Sequence, residues 1–294
     1  MDVFLQQLIN GLSLGSIYAL VALGYTMVYG IIKLINFAHC DLYMVGAYIG
    51  YLCMTHAGLG FFPSLLLSMA GCMLLGVLIE KIAYKPLRNA PRISLLITAI
   101  GMSLLLEYGM MFFFSPNVRT YPPMTGLMAR SFTVGGVLLS MQQVVIWLIT
   151  LALMLLLQYL VHRTRAGRAM RAVSLDKDAA RLMGIDIDAT ISYTFAIGSA
   201  LAGAAGMLVG VYYNTINPLM GVLPGLKAFV AAVVGGIGII PGAMAGGYLI
   251  GIVEVLVSGY GFSMYRDAIV FALLILILIV RPAGLLGKHE GEKV

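Results

Sequence analysis

Charge is the scarcest ingredient of this sequence. Only 10% of its residues are Asp, Glu, Lys or Arg, while 61% are hydrophobic; soluble domains carry about a quarter charged residues. That balance excludes a large soluble core and implies an integral membrane protein. Cysteine is nearly absent. Cys40, Cys53 and Cys72 each lie in or beside an apolar stretch and none forms a CxxC pair, so neither a metal site nor a disulfide framework is expected. No GxxxxGK[ST] occurs, so the chain has no Walker A loop and is not expected to hydrolyse ATP itself. Gly235-Gly-Ile-Gly-Ile-Ile-Pro-Gly242 misses the GxGxxG pattern, because Pro241 takes the place of its last glycine. Lying between two apolar segments, it reads as a tight turn or a broken helix. There is no HExxH, no Ser-His-Asp order and no paired-carboxylate arrangement, and His56, His162 and His289 are scattered. Neither an enzyme nor a cofactor is indicated. The net charge is +6, but the basic residues sit between apolar spans rather than on one face, which argues against nucleic acid as a partner. The amino end, Met-Asp-Val-Phe, lacks the positive region of a cleaved signal peptide.

What is abundant is apolar length. Stretches fit to cross the ~30 Å hydrocarbon layer fall at 5–31, 41–58, 62–82, 93–114, 141–161, 189–213, 225–240, 242–258 and 265–280. Eight or nine spans are expected, in one all-α, polytopic membrane domain covering residues 1–294. With nine spans, all of the 18 Lys and Arg residues except Arg119, Arg130, Lys227 and Arg266 fall on one side. Positive charge marks the cytoplasmic side, so the amino end is expected outside and the carboxyl end inside. The loop at 115–140, with Pro116, Pro122, Pro123 and Gly126, is then external. It reads either as a connector or as a cover for a pore mouth or an external partner. Small-xxx-small spacings such as Gly11/Gly15, Gly46/Gly50 and Gly247/Gly251 let helix backbones approach closely.

Four polar features stand out against this background. The first is 164–186, read as a short amphipathic helix held outside the membrane. Arg165, Arg168 and Arg171 recur at three-residue intervals, Asp176 and Asp178 supply acids for a helix start, and Gly184 supplies a stop. The second is Asn36-Phe-Ala-His-Cys-Asp41, the densest polar cluster near the membrane. Asn36 or His39 is expected to cap the helix starting near Asp41; direct contact with a transported molecule by Asn36, His39 or Asp41 is the alternative. The third is a pair of carboxylates, Glu107 and Glu254, each inside a span without a charged neighbour in that span. The fourth is an echo between Ile35-Asn36-Phe37-Ala38-His39 and Ile216-Asn217-Pro218-Leu219-Met220. With one copy inside and one outside, it has the pattern of an inverted repeat.

Several motifs taken together resemble one family. Gly11-Leu-Ser-Leu-Gly-Ser-Ile-Tyr-Ala-Leu-Val-Ala-Leu-Gly24, Asn36-Phe-Ala-His-Cys-Asp41 and Gly46-Ala-Tyr48 are similar to the amino-terminal signature of LivH-type permease subunits of branched-chain amino-acid ABC importers. Glu80-Lys-Ile-Ala-Tyr-Lys-Pro-Leu-Arg88, Gly167-Arg-Ala-Met-Arg-Ala-Val173, Asp178-Ala-Ala-Arg-Leu-Met-Gly184 and Arg281-Pro-Ala-Gly-Leu-Leu-Gly287 agree in order along the chain. The family usually has glycine where this chain has Cys40, in a position where glycine admits backbone angles that cysteine disfavours. At Glu107 an amide is more usual.

The resemblance implies a bacterial inner-membrane permease that works with two ATP-binding cassette subunits, a homologous second permease subunit and a periplasmic amino-acid-binding protein. On that view Asp178, Ala179, Ala180 and Gly184 match the coupling motif that seats on the ATPase. Arg168 and Arg171 would pair with its acids or with membrane lipid headgroups. The cargo implied is Leu, Ile or Val. Importers of urea and short amides share the permease type, and an ion-coupled secondary transporter is the more distant reading.

Overall fold

The computed structural model describes residues 2–33, 36–88, 90–124, 126–134 and 136–287. Ile35, Lys288, His289 and Lys293 lie outside them. In chain order the elements are α1 (Asp2–Ile32), α2 (His39–Thr55), α3 (Phe61–Ile79), α4 (Arg92–Phe114), β1 (Arg119–Thr120), β2 (Ser131–Val134), β3 (Val137–Ser140), α5 (Met141–Arg163), α6 (Arg165–Leu175), α7 (Lys177–Leu182), α8 (Ile187–Tyr213), β4 (Thr215–Ile216), α9 (Val222–Gly235), α10 (Ile240–Gly259) and α11 (Arg266–Val280). Each of the nine apolar stretches becomes a helix. Seven are long and apolar enough to cross a membrane among the described residues, counting the turns that extend α3 and precede α11. The other two, α2 with 17 residues and α9 with 14, are shorter. At 1.5 Å per residue α9 rises about 21 Å, less than the ~30 Å hydrocarbon thickness.

Two helices form the centre. The most apolar stretches of α1 and α8 are 83% and 89% buried, whereas those of α4 and α11 are each 11% buried. The central pair is rich in glycine, alanine and serine, so its backbones admit close neighbours. A side-chain carbon on Gly11 would stand 2.8 Å from Ile252 Cα, and one on Gly15 the same distance from Tyr248 Cα. Gly30, at the other end of α1, faces Gly238. These pairings run α1 and α10 antiparallel along a glycine seam. Gly46 of α2 likewise abuts the Gly203 backbone of α8.

The sequence echo falls on two matching breaks. Long α1 is followed by short α2, and long α8 by short α9, with the second pair running opposite to the first. The first residues of the short helices meet: a side-chain carbon on Gly221 would stand 2.6 Å from the Cys40 carbonyl oxygen. In the register of the echo, Cys40 and Gly221 are equivalent positions.

Local chemistry accounts for several boundaries. Ser140 and Gln143 form a reciprocal capping box that starts α5. Residues 236–239 form the tight turn between α9 and α10, with Gly236 and Gly238 at φ 107° and 93°, angles that a side chain would resist. The loop at 115–140 adds strand structure to the all-α plan. β2 pairs with β3, and β1 pairs with β4 through Arg119↔Ile216 and Thr120↔Thr215. Buried Tyr121 pins this loop down by donating its hydroxyl to the Ala47 carbonyl at 2.7 Å.

The basic clusters converge at one end. Lys33, Arg88 and Lys177 surround one cavity, and Lys85 and Arg88 both pair with Asp188 at the start of α8. The turn after Arg281 packs there too, where Leu285 N–H donates to the Val234 carbonyl at 2.8 Å. At the other end Gln6 of α1 exchanges hydrogen bonds with the Leu138 backbone of β3.

Candidate functional site

The segment at 164–186 folds as two helices, not one. Its break is at Asp176, which ends α6 and caps α7 by accepting from the Asp178 and Ala179 N–H groups at 2.8 and 3.0 Å. An aspartate whose carboxylate satisfies orphan helix donors favours a new start over continuation. Thr164 caps α6 in the same manner, its hydroxyl accepting from Gly167 N–H at 3.1 Å. Met170 and Val173 of α6 and Ala180 of α7 are buried against the bundle. Arg171 donates to the Val161 carbonyl at the end of α5, which fixes the angle between α5 and α6. Gly184 closes α7 with φ 79°, and no atom lies within 4 Å of the place a side-chain carbon would take. Backbone angle rather than space therefore demands glycine there.

The predicted coupling residues divide accordingly. Ala180 is buried, while Arg168, Arg171, Asp178 and Ala179 are exposed, Arg171 being tied to the end of α5 by its hydrogen bond to the Val161 carbonyl. Sequence pattern alone passes over the outward apolar groups. Leu175 is 85% exposed, Leu182 88% and Met183 82%. A helix pair held by buried contacts on one side presents three large apolar side chains on the other. The available signal was the run Leu182-Met183 at the end of a short polar helix, where an amphipathic helix would have turned both inward.

Asn36, His39 and Asp41 share the head of α2 but do not converge on one pocket. None of their side chains caps the helix: the N-cap position is Ala38, without a side-chain hydrogen bond. The capping expectation fails because each side chain is taken by a different helix. The Tyr84 hydroxyl donates to Asn36 Oδ1 at 2.6 Å. The His39 ring packs on Tyr25 with centroids 4.7 Å apart, beside Gly24. Ser103 of α4 donates its hydroxyl to Asp41 Oδ2. Three buried polar groups thus tie one short helix to three neighbours. Cys40 sits in the first turn of α2 with ordinary helical backbone and makes a hydrogen bond with the Tyr25 hydroxyl. No glycine-only angle exists there; the room for its side chain comes from Gly225 opposite, while Gly221 makes room for its carbonyl.

Glu254 has the partner its own span lacks. Lys227, on α9, lies 2.6 Å from Glu254 and 2.6 Å from Asp267 of α11. The Tyr18 hydroxyl of α1 donates to the other Glu254 oxygen at 2.9 Å. Lys227 and Glu254 are both buried, so this network ties four helices together. Pattern reading missed it because the partners are 27 residues apart, on different helices.

A multi-pass helical bundle with glycine seams and two opposed pairs of long and short helices has the build of a membrane transport permease. The family described as the branched-chain amino acid transport system permease component matches residues 7–278, and this chain belongs to it. It is 44% identical to the high-affinity branched-chain amino acid transport system permease protein BraD of Pseudomonas aeruginosa, over 99% of this chain and 98% of that protein. It is 45% identical to the corresponding LivH proteins of Salmonella typhimurium and Escherichia coli K12, again over 99% of this chain and 98% of each.

Proposed function

We propose that this chain is one membrane subunit of an ATP-driven importer that carries Leu, Ile or Val across a bacterial inner membrane. It forms a single membrane domain, residues 1–294, with its amino end outside and its carboxyl end in the cytoplasm. The hairpin at 164–186 is its coupling element, including Arg168, Arg171, Asp178, Ala179, Ala180 and Gly184. It receives the stroke of two ATP-binding cassette subunits, since this chain carries no nucleotide-binding loop of its own. A homologous permease supplies the other wall of the path, and a periplasmic binding protein delivers the amino acid.

The observation that carries this reading is the exposure of Leu175, Leu182 and Met183 on a hairpin otherwise fixed from within. Large apolar groups at the tip of a polar segment favour a protein partner, and such anchors dominate interface energetics. Arg171, bonded to the end of α5, transmits displacement of the hairpin into the bundle. Movement there reaches the head of α2, where the Asn36–Tyr84 and Asp41–Ser103 bonds act as the latch of the pathway. Opening breaks two hydrogen bonds and leaves the glycine seam intact.

The test is the double variant Leu182→Asp/Met183→Asp. Both side chains are exposed, so the chain should fold and elute as the parent does. Retention of the ATPase subunits on purification and ATP-driven leucine uptake in vesicles should each fall by on the order of tenfold or more. Undiminished uptake would sink the coupling assignment. Competition of labelled leucine by isoleucine and valine, but not by urea, checks the cargo separately.

A further inference from the structure

A cavity of about 380 Å³ lies at the basic end between α1, the head of α4 and the first turns of α8. Its lining is mixed: Ile32, Leu95 and Phe195 form apolar parts of the wall, and Lys33, Arg88 and Lys177 the charged part. These cations differ in their surroundings. Arg88 is shared between Glu80 and Asp188, and Asp188 also holds Lys85 at 2.8 Å. Two acids therefore answer two cations. Lys33 and Lys177 make no ion pair among the described residues. The rim thus keeps two lysines outside any ion pair beside an apolar wall.

That combination selects a ligand. A small inorganic anion would satisfy the rim and leave the walls unfilled; a neutral apolar molecule would do the reverse. An amphiphile with an anionic head matches both. Access fits as well, because α4 forms one wall and is the least covered of the long helices together with α11. Basic pockets between membrane helices on the cytoplasmic side bind acidic lipid headgroups by this logic.

We propose that the cavity is a binding site for an anionic phospholipid, with its phosphate between Lys33 and Lys177 and an acyl chain along Ile32, Leu95 and Phe195. Because Lys177 opens α7 while the other contacts belong to the bundle, the lipid bridges the coupling hairpin to α1 and α4. The same anion-plus-apolar chemistry is carried by a branched-chain amino acid, whose carboxylate is the competing source. The site stands whether or not the importer reading holds, since its test needs no transport.

The test is native mass spectrometry of the full chain after delipidation, with phosphatidylglycerol or phosphatidylcholine added back. The parent should retain a phosphatidylglycerol adduct at concentrations where phosphatidylcholine leaves none. Lys33→Gln/Lys177→Gln should weaken retention by on the order of tenfold or more. Arg163→Gln/Arg165→Gln, which removes two exposed charges near the same end, should leave it unchanged. Leu95→Trp keeps both lysines and fills the interior, and should also abolish the adduct; it serves where the double lysine variant does not fold. Equal retention by the parent, Lys33→Gln/Lys177→Gln and Leu95→Trp would overturn the proposal. So would displacement of the lipid by millimolar leucine, which would give the cavity to the free carboxylate.

Discussion

The two short helices occupy equivalent places in the fold and are held by opposite means. At α2, three polar side chains from one turn, Asn36, His39 and Asp41, reach three different helices. At α9, the first turn is glycine and apolar, and the tie comes from one charged residue further along, Lys227, bound to Glu254 and Asp267. Two side-chain hydrogen bonds and the packing of the His39 ring hold the first, and a lysine bound to two acids holds the second. Neutral hydrogen bonds are worth about 1 kcal/mol each net and can be broken singly. A buried charge left without its partner costs several times more. On the reading proposed above, the difference would let α2 move while α9 serves as a fixed wall.

The sharpest way to break that contrast is at Lys227. Lys227→Met leaves buried Glu254 with the Tyr18 hydroxyl and, 4.0 Å away, the half-exposed Arg266 to face it, and stability should fall by about 3–5 kcal/mol. Thermal unfolding in detergent measures it. Lys227→Met/Glu254→Leu removes both charges and should recover most of the loss, since an apolar pair replaces a desolvated one. Failure of the double variant to recover would mean that Asp267 and Arg266, rather than Glu254, set the energy of the network.

Where the helices touch, the expected effect is smaller. A methyl group on Gly225 would occupy the space of the Cys40 side chain, so Gly225→Ala should cost about 1–3 kcal/mol by overpacking. Cys40→Gly opens that space, and Gly225→Ala should cost measurably less in the Cys40→Gly background. A double-mutant cycle reads the coupling directly. Independent, additive losses would show that the two heads do not press on each other.

How much of this was legible in the sequence follows the range of each interaction. The spans could be read because hydrophobic length is local. The turn at 236–239 could be read because Gly236 and Gly238 need positive φ, a demand made by a few adjacent residues. The hairpin at 164–186 was visible as polar sequence, yet its break was not, because Asp176 counted as an acid near a helix start rather than as the cap of a second helix. The outward turn of Leu182 and Met183 was hidden, since only the packing of Ala180 and Val173 decides which face is inside. The capping expected of Asn36 or His39 failed for the related reason that Tyr84 and Tyr25, which take their side chains, come from distant segments. Lys227 and Glu254 are the extreme case: each looked isolated in its own span, and only the α9–α10 hairpin brings them together.

The smallest expected difference lies between the two asparagines of the echo. Asn36 accepts from Tyr84 on the extension of α3, a bond that crosses between helices. Asn217, at the equivalent position, accepts at 3.0 Å from the N–H of Leu219, a bond inside its own loop. Removing the first loosens α2 from its neighbour; removing the second alters one turn. Tyr84→Phe should therefore lower stability by about 1 kcal/mol and, if the bond is part of the latch, raise ATP hydrolysis in the absence of cargo. Asn217→Ala should shift stability by no more than about 0.5 kcal/mol and leave basal hydrolysis where it was. Equal effects from the two variants would mean that the repeat is symmetric in mechanics as well as in shape, and that α9 moves as much as α2.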